Sequence, residues 1–198
     1  MVRVKSKDRY NVYNRQGDKL FDNNYKSIDW SENQKYMTLY ADTTIYVSDT
    51  LGVITKLKNV NSVKWSLKKG LFFDVRDGVY GLRSINSDTI IDYKYKEIYD
   101  LENHYFVGVV ESGVYLFNSD GSKLVDFKIK SIEIANKKDA FQLIVLNDKG
   151  FGVLDKKGKT IIPFEYSRIW FDKVNKLYRV EKDSKFIGYI GLDGKKYF

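Results

Sequence analysis

The stretch Phe151-Gly152-Val153-Leu154-Asp155-Lys156-Lys157-Gly158-Lys159-Thr160-Ile161-Ile162-Pro163-Phe164-Glu165-Tyr166 decides the architecture. Phe151 and Val153 stand two residues apart, the spacing of one face of a β-strand. Asp155 is a turn former whose short side chain bonds nearby amides. Gly158 takes positive φ without steric cost. The apolar pair Ile161-Ile162 then opens a second strand, so the stretch predicts a hairpin. With Gly158 as origin, the same turn recurs at Gly17, Gly52, Ser87, Gly121 and Gly194, with gaps of 35, 35, 34, 37 and 36 residues along the whole series. A fixed interval of this size is the mark of a repeat architecture, one small supersecondary unit copied many times.

The columns around that turn agree. Seven residues before it stand Tyr10, Ile45, Tyr80, Val114, Phe151 and Ile187, and five before it stand Val12, Val47, Leu82, Leu116, Val153 and Tyr189. Both columns are apolar or aromatic and predict one buried strand face. Three before the turn come Asn14, Asp49, Ser84, Asn118, Asp155 and Gly191. The second strand is expected to be short, as in Leu20-Phe21 and Ile90-Ile91. Eight and eleven places after the turn stand Tyr25 and Ile28, Val60 and Val63, Tyr95 and Ile98, Ile129 and Ile132, and Tyr166 and Ile169. The later member of each pair starts a third strand, and stretches such as Leu71 to Val75 and Phe141 to Leu146 supply a fourth. No segment carries a long apolar period of 3.6 residues, so almost no helix is expected.

Four short strands in about 35 residues suit a propeller blade or a β-solenoid coil. The chain therefore reads as one all-β repeat domain over residues 1–198. Its units lie near 10–42, 45–76, 79–110, 114–147 and 151–183, with a partial unit at 187–198. The segment at residues 1–6 resembles a stray fourth strand. Head and tail together are expected to complete one composite blade and close a small six-bladed β-propeller, which would leave no free sheet edge. The alternative is an open β-hairpin solenoid.

The fifth unit resembles the bacterial WG-repeat family, whose unit runs aromatic, Gly, two apolar residues, Asp, a Gly turn, an apolar pair, Pro and Tyr. Tyr80-Gly81-Leu82 in the third unit and Gly188-Tyr189-Ile190 in the sixth match more loosely. Asn11, Tyr46 and Tyr115 replace the motif glycine elsewhere, and no unit keeps the signature Trp. The resemblance implies a β-rich repeat fold, a binding role, and no catalytic residues to carry over. A bacterial or phage source is expected.

Composition narrows the chemistry. The 198 residues include 34 basic and 26 acidic side chains, for a net charge of +8. Such a basic surface either solubilises the protein or attracts an anionic partner. Cysteine is absent, which excludes a disulfide framework, a Cys-based zinc site and a thiol nucleophile. The N-terminus lacks the apolar run of a signal peptide and nothing matches a membrane span, so a cytoplasmic protein is expected. His104 is the single histidine. It lies in Asp100-Leu101-Glu102-Asn103-His104, where alternating polar residues would suit metal ligands, though a loop explains them as well. No Gly-x-Ser-x-Gly elbow or P-loop is present. Asp120-Gly121 and Asp193-Gly194 are hairpin turns rather than calcium loops.

Trp30 and Trp65 fall thirteen places after the turn, on the expected core face. Trp170 falls at twelve, among the mostly polar set Asp29, Lys64, Tyr99 and Glu133. An aromatic side chain in a solvent-facing column is a candidate contact, because Trp and Tyr concentrate in binding hot spots. The sequence thus points to a non-enzymatic β-repeat module for protein–protein interaction, with Trp170, Tyr99 and Lys64 as candidate contacts. The alternative is a binder of an anionic ligand, either by nucleotide sequestration or through nucleic acid. No cofactor, metal or membrane partner is expected.

Overall fold

The computed structural model describes residues 1–68, 70–102, 105–136 and 141–198. His104, Lys69, Lys137 and Lys138 lie outside them. The chain is all-β, with six sheets of antiparallel strands and no helix among the described residues.

The first sheet pairs β1 (Val2–Ser6) with β2 (Arg9–Tyr13). The second runs β3 (Ser27–Trp30), β4 (Tyr36–Tyr40), β5 (Ile45–Asp49) and β6 (Ile54–Leu57), and the third runs β7 (Ser62–Trp65), β8 (Leu71–Arg76), β9 (Val79–Ser84) and β10 (Thr89–Tyr95). The fourth holds β11 (Glu97–Leu101), β12 (Tyr105–Val110) and β13 (Gly113–Phe117). The fifth runs β14 (Ser131–Asn136), β15 (Gln142–Asn147), β16 (Gly150–Asp155) and β17 (Thr160–Tyr166), and the sixth runs β18 (Arg168–Asp172), β19 (Leu177–Lys182), β20 (Lys185–Gly191) and β21 (Lys196–Tyr197). Two compact units divide the chain, Met1–Phe106 and Val107–Phe198, with the division inside β12.

The six turns are one structure repeated. Gly17, Gly52, Ser87, Gly121, Gly158 and Gly194 all take φ between 75° and 89°. At each, the turn residue's N–H donates to the carbonyl three residues back, as from Gly158 to Asp155 at 3.0 Å and from Ser87 to Ser84 at 2.9 Å. Asp155 Oδ1 also accepts from the amides of Lys157 and Lys159, at 2.8 and 2.9 Å, which is why Asp suits that column.

Strand pairing revises three expectations. Each complete sheet takes two strands from one sequence unit and two from the next, so sheets and units are out of phase. The strand expected to be short is long in places: β10 and β17 run seven residues each, carry register shifts, and end on Tyr95 and Tyr166. Pro163 sits within the irregular part of β17, where its missing N–H breaks no ladder bond. The composite terminal blade is the third correction. Val2–Ser6 pairs with Arg9–Tyr13 across a two-residue turn in which Lys7 takes φ 56°, and residues 187–197 complete the sixth sheet with β18 and β19. Closing the shortest loop costs the least entropy, so the N-terminal strand takes its nearest neighbour.

Successive sheets pack face to face. Val12, Phe21, Tyr25, Ile28, Met37 and Leu39 form a buried cluster joining the first and second sheets. Trp65 packs on the Val47, Leu57 and Phe72 cluster, stacks on Tyr36 and donates its Nε1–H to Thr38 Oγ1 at 3.0 Å. In the second unit Ile144, Val153 and Ile162 of the fifth sheet meet Ile169, Tyr178, Val180 and Ile190 of the sixth. Each such aliphatic side chain contributes about 1.5–3 kcal/mol on burial. The motif glycine has a packing reason. A Cβ on Gly152 would stand 2.8 Å from the Ile162 carbonyl and from the Phe164 ring. Where Asn11 replaces that glycine, its Nδ2 donates to the carbonyls of Phe21 and Asn23, at 2.8 and 2.6 Å, and so satisfies the polar atoms it meets.

The third sheet holds a buried ionic group. Asp74 is fully buried and accepts the Tyr93 hydroxyl proton at 2.6 Å. Arg83 Nη1 stands 3.5 Å from its carboxylate and Arg76 Nη2 3.7 Å. Desolvation pushes the Asp74 carboxyl above its ordinary range, and Tyr93 and the two guanidiniums only partly oppose that.

Candidate functional site at the sixth sheet

Side chains in register across four antiparallel strands form a row. In the second sheet one row is Asp29, Thr38, Val47 and Thr55; in the third it is Lys64, Phe73, Leu82 and Ile91; in the fifth it is Glu133, Ile144, Val153 and Ile162. Each has one polar residue on its first strand, followed by residues that are small or aliphatic, apart from Phe73, and mostly buried. The same row in the sixth sheet is Trp170, Arg179, Tyr189 and Tyr197.

This row is open to solvent. Val12, Val47, Leu82, Leu116 and Val153 are 0–1% exposed, whereas Tyr189 in the same column is 38% exposed. Contrary to the sequence expectation, the column therefore does not mark a buried face at Tyr189. The other face of the sixth sheet already covers Val153 and Ile162. Trp170 is 38% exposed, and Phe186, Tyr197 and Phe198 are also exposed.

Cations are threaded between these rings. The guanidinium carbon of Arg179 lies 5.3 Å from the Trp170 ring centroid and 5.1 Å from that of Phe186, and that of Arg168 lies 4.9 Å from Trp170. Lys195 Nζ lies 5.6 Å from Tyr197, whereas Lys196, in register with Ile190, belongs to the other face with Phe198. Contacts of this kind hold a cation over an aromatic face and keep both groups extended. Trp170, Phe171, Asp172, Arg179 and Tyr189 line an open depression of about 440 Å³. Residues 168–198 carry eight basic and four acidic side chains, a net +4 and half the charge of the whole chain.

The platform is rigid from below. Tyr178 is buried beneath Arg179, donates its hydroxyl proton to Gln142 Oε1 at 2.7 Å, and has its pKa raised by that burial. Gln142 Nε2 in turn donates to the Leu192 carbonyl at 2.9 Å. The turn after β18 is tied by Asp172, whose carboxyl is held below its ordinary range by hydrogen bonds from the Asn175 side chain and from the amides of Asn175 and Val174. Of the acids on this face, Glu181 lies 3.5 Å from Arg179 and is mostly covered.

Lys64 lies on β7 opposite Phe73, Tyr99 lies on β11, and Trp170 lies on β18. All three stand on the first strand of a sheet, each a different sheet. Arg179, Tyr189 and Tyr197 were not singled out by sequence. The available signal was Tyr189, the only aromatic residue in its column. The metal reading of His104 falls outside the described residues.

Residues 151–186 match a family model described as WG containing repeat. This segment is a WG containing repeat. The WG repeat thus supplies β16 and β17 of the fifth sheet and β18 and β19 of the sixth, and brings Trp170 and Arg179 to the exposed row. No curated protein matches the chain. Among solved structures, Kluyveromyces lactis Hsv2 is 11% identical over 85% of this chain and 61% of that one, with a TM-score of 0.37. A structure titled as the eukaryotic initiation factor is 10% identical over 97% of this chain and 59% of that one, with a TM-score of 0.45. The chain spans about 60% of the length of the first such structures.

Proposed function

We propose that the protein is a non-enzymatic binding module whose recognition surface is the outer face of the sixth sheet, and that it takes an anionic partner. The exposed row of Trp170, Arg179, Tyr189 and Tyr197 carries this reading. Elsewhere that row is mostly covered by packing; here it combines flat rings with cations, on a segment holding half of the net charge. Clustered positive charge raises the local concentration of an anion and speeds its capture. A protein partner is the second reading, favoured by the Trp, Tyr and Arg content typical of hot spots.

The test is retention on a polyanion column under a salt gradient. The wild type is expected to elute late, and an Arg168→Glu, Lys195→Glu variant, which changes two cations of this face, at clearly lower salt. Equal elution of the two, with a polypeptide co-purifying with both, would replace the anionic reading with the protein one.

The consecutive antiparallel meander of each sheet also supports reading the sheets as propeller-type blades rather than as solenoid hairpins, without requiring a ring that closes over the sixth.

A further inference from the structure

We infer that the sixth sheet is a stacking platform for single-stranded nucleic acid, with bases lying on Trp170 and Tyr189 and phosphates held by Arg179 and Lys195. This rests on the anionic reading above and names the chemistry of the anion.

Three observations select it. The rings are on a sheet face, and neighbouring strands lie about 4.8 Å apart. Trp170 and Tyr189, two strands apart in one row, are therefore separated by about 10 Å, and the full row to Tyr197 spans about 15 Å, room for two or three nucleotides. Secondly, Arg179 lies between the two rings in the row, so a phosphate linking two stacked bases meets a guanidinium. Thirdly, the rings are exposed together with the cations and not in place of them. An acidic peptide would pair with the cations and leave the rings idle. A duplex hides its base faces and would likewise use only the charge. A single strand uses both, because every base has a face to stack on an aromatic side chain.

The experiment measures binding of a short labelled oligothymidine and oligouridine by anisotropy, with tryptophan emission recorded in parallel. A duplex of equal length, inorganic polyphosphate and an acidic peptide serve as competitors. The wild type is expected to prefer the single strands and to show quenched emission, since Trp170 is the exposed one of the three tryptophans. Trp170→Leu and Tyr189→Leu are each expected to weaken binding roughly 5- to 150-fold, while Tyr189→Phe, which keeps the ring, binds as the wild type. Arg179→Gln is expected to lower the slope of log affinity against log salt by about 0.7.

Equal loss in Tyr189→Phe and Tyr189→Leu would mean a structural effect and overturn the inference. So would polyphosphate or duplex competing as well as the single strand with the Leu variants unaffected, although the anionic reading would then stand. Binding of the acidic peptide alone also overturns it. Failure of every polyanion to bind removes both readings.

Discussion

Arg83→Met tests whether the buried ionic group of the third sheet is held by mutual compensation. The Arg83 side chain is 8% exposed and Asp74 is fully buried, so solvent screens their interaction little. Removing one partner of a buried pair costs about 3–5 kcal/mol, because the other charge is left uncompensated. Arg76 at 3.7 Å and the Tyr93 hydroxyl remain, which places the expected loss near the lower end, about 3 kcal/mol. For a chain of this length each kcal/mol moves the melting temperature by about 2–4 °C, so the transition should fall by about 6–12 °C at pH 7. The pH dependence gives a second check. The Asp74 carboxyl is already raised by desolvation, and losing a guanidinium raises it further. A raised group contributes stability that is complete below its unfolded value, near 3.8, and is lost as pH climbs through the folded value. The Arg83→Met deficit should therefore shrink on going from pH 8 to pH 5, and Asp74→Asn added to Arg83→Met should restore much of the loss at pH 7. Circular dichroism melts across that range are the assay. A variant melting within about 2 °C of the wild type, or a deficit equal at both pH values, would refute the reasoning.

Three further substitutions probe the repeat itself. Gly152→Ala puts a Cβ 2.8 Å from a backbone carbonyl and an aromatic ring, and should cost about 1–3 kcal/mol in urea unfolding. Ser87→Gly should raise stability by about 0.5–1 kcal/mol in the same assay, since Ser87 holds φ 75° at a turn where all five equivalents take φ of 78–89° as glycine and its bonds are made by the backbone. Tyr178→Phe leaves Gln142 Oε1 without its 2.7 Å donor in a buried setting and should cost about 1–3 kcal/mol, read as a lowered melting temperature.

What the sequence revealed depended on how local the cause was. The turn column was legible because positive φ and an Asx-type acceptor are properties of four or five adjacent residues, and all six turns close the same hydrogen bond. The buried role of Trp65 was legible because it shares a face with Val63. The phase of the sheets was not. A period fixes the spacing of strands but not which neighbour each one pairs with, and β1 turned back on β2 through Lys7 instead of travelling to the other end. Tyr189 was misread for a related reason. Alignment by column averages over positions that are buried in the other five repeats, whereas Tyr189 is 38% exposed, and only its departure from Val and Leu carries that information.

The composition of the uncovered face argues against simple exposure. A seventh sheet stacked there would bury Arg179 and its 3.5 Å partner Glu181 where the second, third and fifth sheets have Thr38, Phe73 and Ile144, and the desolvation of a buried ion pair can exceed its Coulombic gain. The row is thus unsuited to another copy of the repeat. A face meant only for water would be expected to carry Lys, Glu or Thr, as capping repeats present polar outer surfaces. Trp170, Phe186, Tyr189 and Tyr197 instead leave a continuous aromatic surface in water, which gains nothing for folding and invites association. Arginine and lysine stand over those rings, and it is this combination on which the proposed anionic partner rests. A surface that rejects its own repeat and is too apolar for a plain cap is best explained by a ligand that brings both negative charge and flat rings.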